Sequence, residues 1–204
     1  MRTVLRLLRH ELRLFVSLVL WAARRTHGTG RGRAFGYARG QGAVMFGFAF
    51  VCVVETVVMS VLLHRWPAVH QVVLVLDVYT VVIVVGLHAA SVVRPHVLEP
   101  GALRIRYAAH VDLRIPLERI ATVRRELRTT HEKADGVLDV IVTGQTTVTL
   151  ELAEPITHVG FFGRRREVGV VRVHADDADA FVGAVTRARP APVPPLADRT
   201  GLRA

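Results

Sequence analysis

The chain has 204 residues, 51% of them hydrophobic, and a formal net charge of +10. Arginine carries nearly all of the positive charge, which excludes an acidic solvating chain and points to anionic partners. The single cysteine, Cys52, excludes an intramolecular disulfide and a cysteine-based metal site.

The first segment, residues 1–26, projects well as a helix. Arg2, Arg6, Arg9, Arg13 and Arg24 fall on one narrow arc, while Leu5, Leu8, Leu12, Phe15, Val16 and Val19 share an apolar face. The prediction is an amphipathic helix. It either lies among lipid headgroups with its arginines toward anionic lipid, or packs against the rest of the protein. A signal-peptide reading fails, because Glu11 and Arg13 interrupt it, the apolar core is short and no small-x-small cleavage site follows.

Residues 27–42 are rich in Gly and Arg and read as a flexible basic connector. The Gly-Lys-Ser/Thr ending of a phosphate-binding loop is missing, and no strand precedes the segment.

Two apolar runs follow, 43–63 and 71–93, joined by residues 64–70. A membrane-crossing helix needs about 20 apolar residues, so each run is long enough. The expectation for 43–93 is a transmembrane helical hairpin. Arg24, Arg25, Arg31, Arg33 and Arg39 flank its start, and Arg94, Arg104 and Arg106 follow its end. Only Arg65 lies in the turn. The positive-inside rule then places both termini in the cytoplasm of a multi-pass protein of the cell (inner) membrane. Tyr37 and Trp66 suit interfacial anchoring, and Pro67 breaks the helix at the turn.

Glu55 and Asp77 lie inside the hairpin, where charge is expensive. Counted from the turn they sit about 12 Å and about 9 Å deep at 1.5 Å per residue, nearly level with each other. Each costs about 2.5–3.5 kcal/mol near a bilayer centre. Two ionised carboxylates in contact repel, so at least one would be protonated if they meet. Three readings stay open. The acids form a proton-sharing or cation site, or they contact another membrane protein or a second copy. In the third, a neutral carboxyl bonds within the hairpin to Thr56, Ser60, Tyr79 or Thr80. Thr80 and His88 continue a polar stripe from Asp77 along one face of the second helix.

From residue 97 the period changes to two. Leu103, Ile105 and Tyr107 alternate with Arg104 and Arg106, then Val111, Leu113 and Ile115 with Asp112 and Arg114, then Val148, Leu150 and Leu152 with Thr149 and Glu151. These are half-buried strands of an antiparallel sheet. Gly101, His110, Gly136, Gly144 and Gln145 supply turns, and a further strand runs near 168–174. Asp176 is placed to cap a helix whose Ala178, Phe181, Val182 and Val185 repeat at helical spacing. The domain is therefore 97–188, and the proline-rich remainder, 189–204, is expected to be a disordered tail.

Three stretches carry a resemblance. Arg94-Pro95-His96-Val97 leaves the second apolar run and leads into the strand at 101–107. Arg114-Ile115-Pro116-Leu117-Glu118-Arg119-Ile120 follows. The third is 173–182, from Val173 through Asp176 and Asp177 to Val182. Together these make the chain similar to bacterial integral membrane proteins with a PH-like domain, of the type common in high-GC Gram-positive genomes. The resemblance implies a strongly bent antiparallel sheet closed by a C-terminal helix. It also implies no enzyme activity, because such domains usually bind lipids, peptides or neighbouring proteins. A fold alone does not fix function.

Two groups in the domain are candidate lipid- or partner-binding residues. Phe161 and Phe162 precede Arg164, Arg165 and Arg166, so this loop either inserts at a membrane or is a solvated hairpin tip with its aromatics in the core. Arg124 and Arg125 add to that basic surface. No catalytic residue is expected, since no Ser/His/Asp or Cys/His combination sits at a recognisable elbow. His64, His70, His96 and His110 lack metal-binding spacing, so neither a metal nor a cofactor is expected. Nor is nucleic acid, because no recognition helix or aromatic-interleaved basic strand is present. The expected function is that of an α+β, non-enzymatic membrane-bound binding or scaffolding module. The alternative is an accessory subunit of a transporter or channel that uses Glu55 and Asp77.

Overall fold

The computed structural model describes residues 2–30, 32–108, 111–132, 134–160 and 165–190, apart from the side chains of residues 2–10 and 13. Among the described residues it is a mixed α+β protein with four helices and two four-stranded sheets. The expected tail falls almost wholly outside them.

Helix α1 (Arg2–Ala22) ends in a left-handed turn. Arg24 has φ +54°, its N–H donates to Trp21 O, and the N–H of Arg25 reaches back to Leu20 O. This is the six-to-one, five-to-two pairing that satisfies the last carbonyls of a helix.

The connector expected to be flexible is instead folded, which corrects the reading of 27–42. Strand β1 (Arg33–Phe35) lies inside it and pairs antiparallel with β2 (His96–Glu99), Phe35 opposite His96. Burial of Phe35 and Tyr37 outweighs the entropy of the surrounding glycines. Gly32 is needed at the start of this pairing. A Cβ there would overlap Val97 Cγ1 and lie 2.8 Å from the Leu98 carbonyl oxygen.

Between β1 and β2 the chain makes its long helical excursion. Helix α2 (Gln41–Leu62) and helix α3 (Pro67–Val93) are each long and apolar enough to cross a membrane. Few of their side chains are buried within the protein over those stretches. The turn is shorter than expected, because Pro67 is the first residue of α3, where its fixed φ and missing N–H are tolerated.

Strands β3 (Ala102–Tyr107) and β4 (Val111–Pro116) complete the first sheet in the order β1-β2-β3-β4. A short 3-10 turn, Leu117–Arg119, leads into β5 (Ile120–Arg128). It is followed by β6 (Val137–Val140), β7 (Thr146–Val159) and β8 (Arg165–Val173). These four form the second sheet in the order β5-β7-β8-β6. It departs from the all-antiparallel expectation, because β6 pairs parallel with β8. The chain turns back after β6 into β7, and β8 then returns into the gap between them.

Helix α4 (Ala178–Ala188) closes the domain by placing Phe181, Ala184 and Val185 on the core of Leu103, Ile115, Leu150 and Val171. Its cap is one residue later than expected. The carboxylate of Asp177 accepts the Ala180 N–H at 2.9 Å. Asp176 instead accepts the N–H of Arg39 at 3.1 Å and so ties the β1 segment to the domain.

Candidate functional site

The polar residues of the helical pair are not assembled into one site. Glu55 is exposed on α2, whereas Asp77 is half-buried on α3 with Oδ2 buried and without a hydrogen-bond partner. The four hydroxyls expected to hold a carboxyl are all engaged elsewhere. Thr56 donates to Cys52 O at 2.8 Å and Thr80 to Leu76 O at 2.9 Å, each turning back onto its own helix. Ser60 bonds His70 Nε2 across the turn at 2.8 Å. Tyr79 donates at 2.6 Å to Glu11 of α1, an acid from outside the hairpin.

His88 shares a helix face with Asp77 but sits in an aromatic setting. Its ring meets Trp21 nearly edge-on at 5.8 Å and Phe46 at 5.1 Å. Trp21 belongs to α1, which packs along α3 through Leu14 and Leu18. Gly86 permits that approach, because a Cβ there would already be 3.4 Å from Leu18 Cδ1 and 3.5 Å from Leu14 Cβ. Leu12, Phe15, Val16 and Val19 stay exposed on another face of α1. Of the two alternatives, the packing of α1 against the hairpin is therefore present, and α1 also keeps an outward apolar face.

The expected basic surface of the domain is divided. Phe161, Phe162 and Arg164 lie outside the described residues, while Arg165 and Arg166 are exposed at the start of β8, opposite Val159 and His158 of β7. Arg124 and Arg125 oppose Thr149 and Val148 of β7, so roughly 30 Å of strand separates the groups at about 3.3 Å per residue. They are also ion-paired. Arg124 contacts Glu151 and Glu126, and Arg125 lies 2.7 Å from Asp179. Both Glu151 and Glu126 are shifted down, Glu151 chiefly by its bond from Arg124 and Glu126 first by the nearby Thr149 hydroxyl, then by the Arg124 and Arg128 guanidinium groups.

A different cluster forms where α3 meets the first sheet. Arg94 follows α3, and Arg104 and Arg106 lie on β3. Arg106 is 4% exposed, and its two terminal nitrogens donate to the carbonyls of His27 and Gly28 at 2.8 Å each. Gly28 has φ +62°, and a Cβ there would lie 2.9 Å from the Arg106 guanidinium. Arg104 grips Asp112 through Nε and Nη2 at 2.6 and 2.7 Å. The strand alternation had put both arginines on an outward face. Register alone brings Arg106 opposite Asp112, and the folded 27–28 loop covers Arg106. The sequence signal available was the pair of arginines two apart on β3 facing an acid in the next strand.

Beside this cluster His96 is wholly buried. Nε2 donates to His174 O at 3.0 Å and Nδ1 accepts the Arg106 N–H at 3.2 Å. Burial, chiefly, lowers its pKa to about 4. Tyr37 stacks on it and accepts the Ala108 N–H at 2.8 Å, and burial pushes the phenol well up. This network reads as structural. Among the described residues no three His, Cys, Asp or Glu side chains converge as a metal site. No family model, curated protein or solved structure matches the chain.

Proposed function

We propose that the chain is a non-enzymatic integral membrane protein. In this reading α2 and α3 cross the cell membrane as a hairpin with both termini in the cytoplasm. The β domain is PH-like and serves as a binding or scaffolding module for anionic lipid and a protein partner. The observation that carries the reading is the exposed apolar surface of the two helices. Phe50, Val61 and Val75 are 68%, 70% and 67% exposed, with many neighbours alike. Contiguous apolar patches beyond a few hundred Å² are rare on soluble monomers, and hydrocarbon removes their cost. Trp66 at the turn and the arginines at the other end support the orientation. Two four-stranded sheets closed by a C-terminal helix support the PH-like assignment, with β1 and the parallel β6 as additions to it.

The test begins with alkaline carbonate extraction of membranes containing the full-length protein. Retention until detergent is added is expected, and release into the carbonate supernatant would refute the spans. A mild-detergent pull-down then compares the wild type with Glu55→Gln/Asp77→Asn. A stoichiometric partner lost only in the variant identifies the hairpin acids as an assembly contact.

The second reading is an accessory subunit of a transporter or channel. It is favoured by one observation, the buried Asp77 Oδ2 without a hydrogen-bond partner. It predicts a pH-dependent ion flux in a reconstituted complex that the same double variant abolishes. Absence of flux from the wild-type complex removes it.

A further inference from the structure

A cavity of about 380 Å³ opens at the end of α3, and its walls differ in character. Its lining is cationic at Arg94, Arg104 and Arg106 and apolar at Leu12 and Val16 of α1 and at Val111. Asp112 is the one acid among the described residues lining it. The size lies within the range of small-ligand sites.

Two of the guanidinium groups are held in place, those of Arg104 and Arg106. Arg106 is fixed by the His27 and Gly28 carbonyls, and its Nε lies 3.9 Å from Asp112 Oδ1. Arg104 grips the same carboxylate, so the lining holds three positive groups and one negative group. The excess is felt by His27 on the rim. Its imidazole is shifted down, by burial first and then by Arg94, Arg106 and Arg104, with Asp112 opposing them. Glu99 lies 3.8 Å from Arg104 but outside the cavity lining.

Planar guanidinium groups favour oxyanions with several acceptor oxygens, and phosphate above all. The apolar part of the lining suits a ligand whose anionic group adjoins hydrocarbon. Resting on the membrane-bound reading above, we propose that this cavity binds one phosphate group at the cytoplasmic membrane surface. Its source is the headgroup of an anionic phospholipid or a free phosphate. When the cavity is empty Asp112 holds Arg104 and Arg106 in position, and it competes with the incoming anion.

Full-length protein in an uncharged detergent tests this with three probes: short-chain phosphatidylglycerol, the matching phosphatidylcholine and inorganic phosphate. Phosphatidylglycerol should bind in preference to phosphatidylcholine. Arg94→Gln/Arg104→Gln should weaken it by about tenfold or more, as expected for two charge-assisted contacts. Asp112→Asn should strengthen it by about threefold, an outcome that misfolding would not produce. Arg119→Gln and Arg187→Gln, distant surface changes of the same charge, should leave it unaltered. Inorganic phosphate that competes at equal concentration assigns a free-phosphate source, and its failure to compete assigns the lipid headgroup. Equal binding by wild type and Arg94→Gln/Arg104→Gln, or weaker binding by Asp112→Asn, overturns the site. Carbonate extraction bears on the spans alone, so the two proposals fail separately.

Discussion

The phenol ring of Tyr37 lies against the imidazole of His96, with centroids 4.8 Å apart and planes at 27°. One residue follows the first strand of the sheet and the other begins the second, with both apolar helices between them. The contact locks the base of the helical pair onto the domain. The hydrogen bonds on either side of the same imidazole fix its tautomer. A carbonyl can only accept, so His96 Nε2 carries the proton facing His174 O, and Nδ1 is the bare acceptor for the Arg106 N–H.

Stability should therefore fall on acidification. The folded state holds His96 neutral down to about pH 4, whereas the unfolded imidazole titrates near 6.5. Between those values the unfolded chain binds a proton that the folded chain does not, so each unit of pH removes up to about 1.4 kcal/mol. The contribution is fully present above pH 6.5, and about 3 kcal/mol is lost by pH 4, below which the group adds no further change. Thermal unfolding in detergent across this range should give a shallower slope for His96→Gln than for the wild type. Parallel slopes would show that other groups carry the acid sensitivity. His27, His158 and His174 shift in the same direction and add to the loss.

Tyr37→Phe should keep the ring stack and lose one acceptor. The Ala108 N–H then remains buried with its partner removed, at a cost of about 1–3 kcal/mol. The expected result is a lower unfolding midpoint at neutral pH with an unaltered circular dichroism spectrum. An unchanged midpoint would mean that the N–H finds another partner.

Gly32→Ala should free the first strand without unfolding the rest. The new methyl group meets Val97 and the Leu98 carbonyl far inside contact distance, and overpacking of this kind costs about 1–3 kcal/mol. Hydrogen exchange should quicken at β1 amides and stay slow in β7 and β8. Native protection at β1 would show that the strand shifts to accept the methyl group.

What the sequence revealed divides along range. The two apolar helices were legible because length and hydropathy are local properties, and the period-two runs at 103–107, 111–115 and 148–152 located strands in the same way. Gly101, Gly136 and Gly144 were legible as turns, and all three have positive φ. The strand 33–35 was hidden, because its partner lies beyond both helices and three residues carry almost no pattern of their own. The helix cap was misplaced between adjacent aspartates, since Asp176 and Asp177 are equivalent until Arg39 takes one of them. Arg124 and Arg125 looked free because their acids, Glu151 and Asp179, come from elements distant in sequence. The Arg94–Arg104–Arg106 cluster needed the register of β3 on β4 and the path of residues 27–28, neither of which has a local signature.

The pairing of Phe35 with His96 imposes an order on biosynthesis. Translation delivers β1 first, then both apolar helices, and only afterwards the strand that β1 must find. Domains generally fold as units while the chain emerges, but this sheet cannot acquire its first edge until the intervening helices have been made. A nascent chain whose helices are misrouted keeps Phe35 and Tyr37 in water and leaves the β2 edge open. Until β1 closes the sheet, that open edge is a template for pairing with another chain, so the last contact to form is also the one that guards against aggregation.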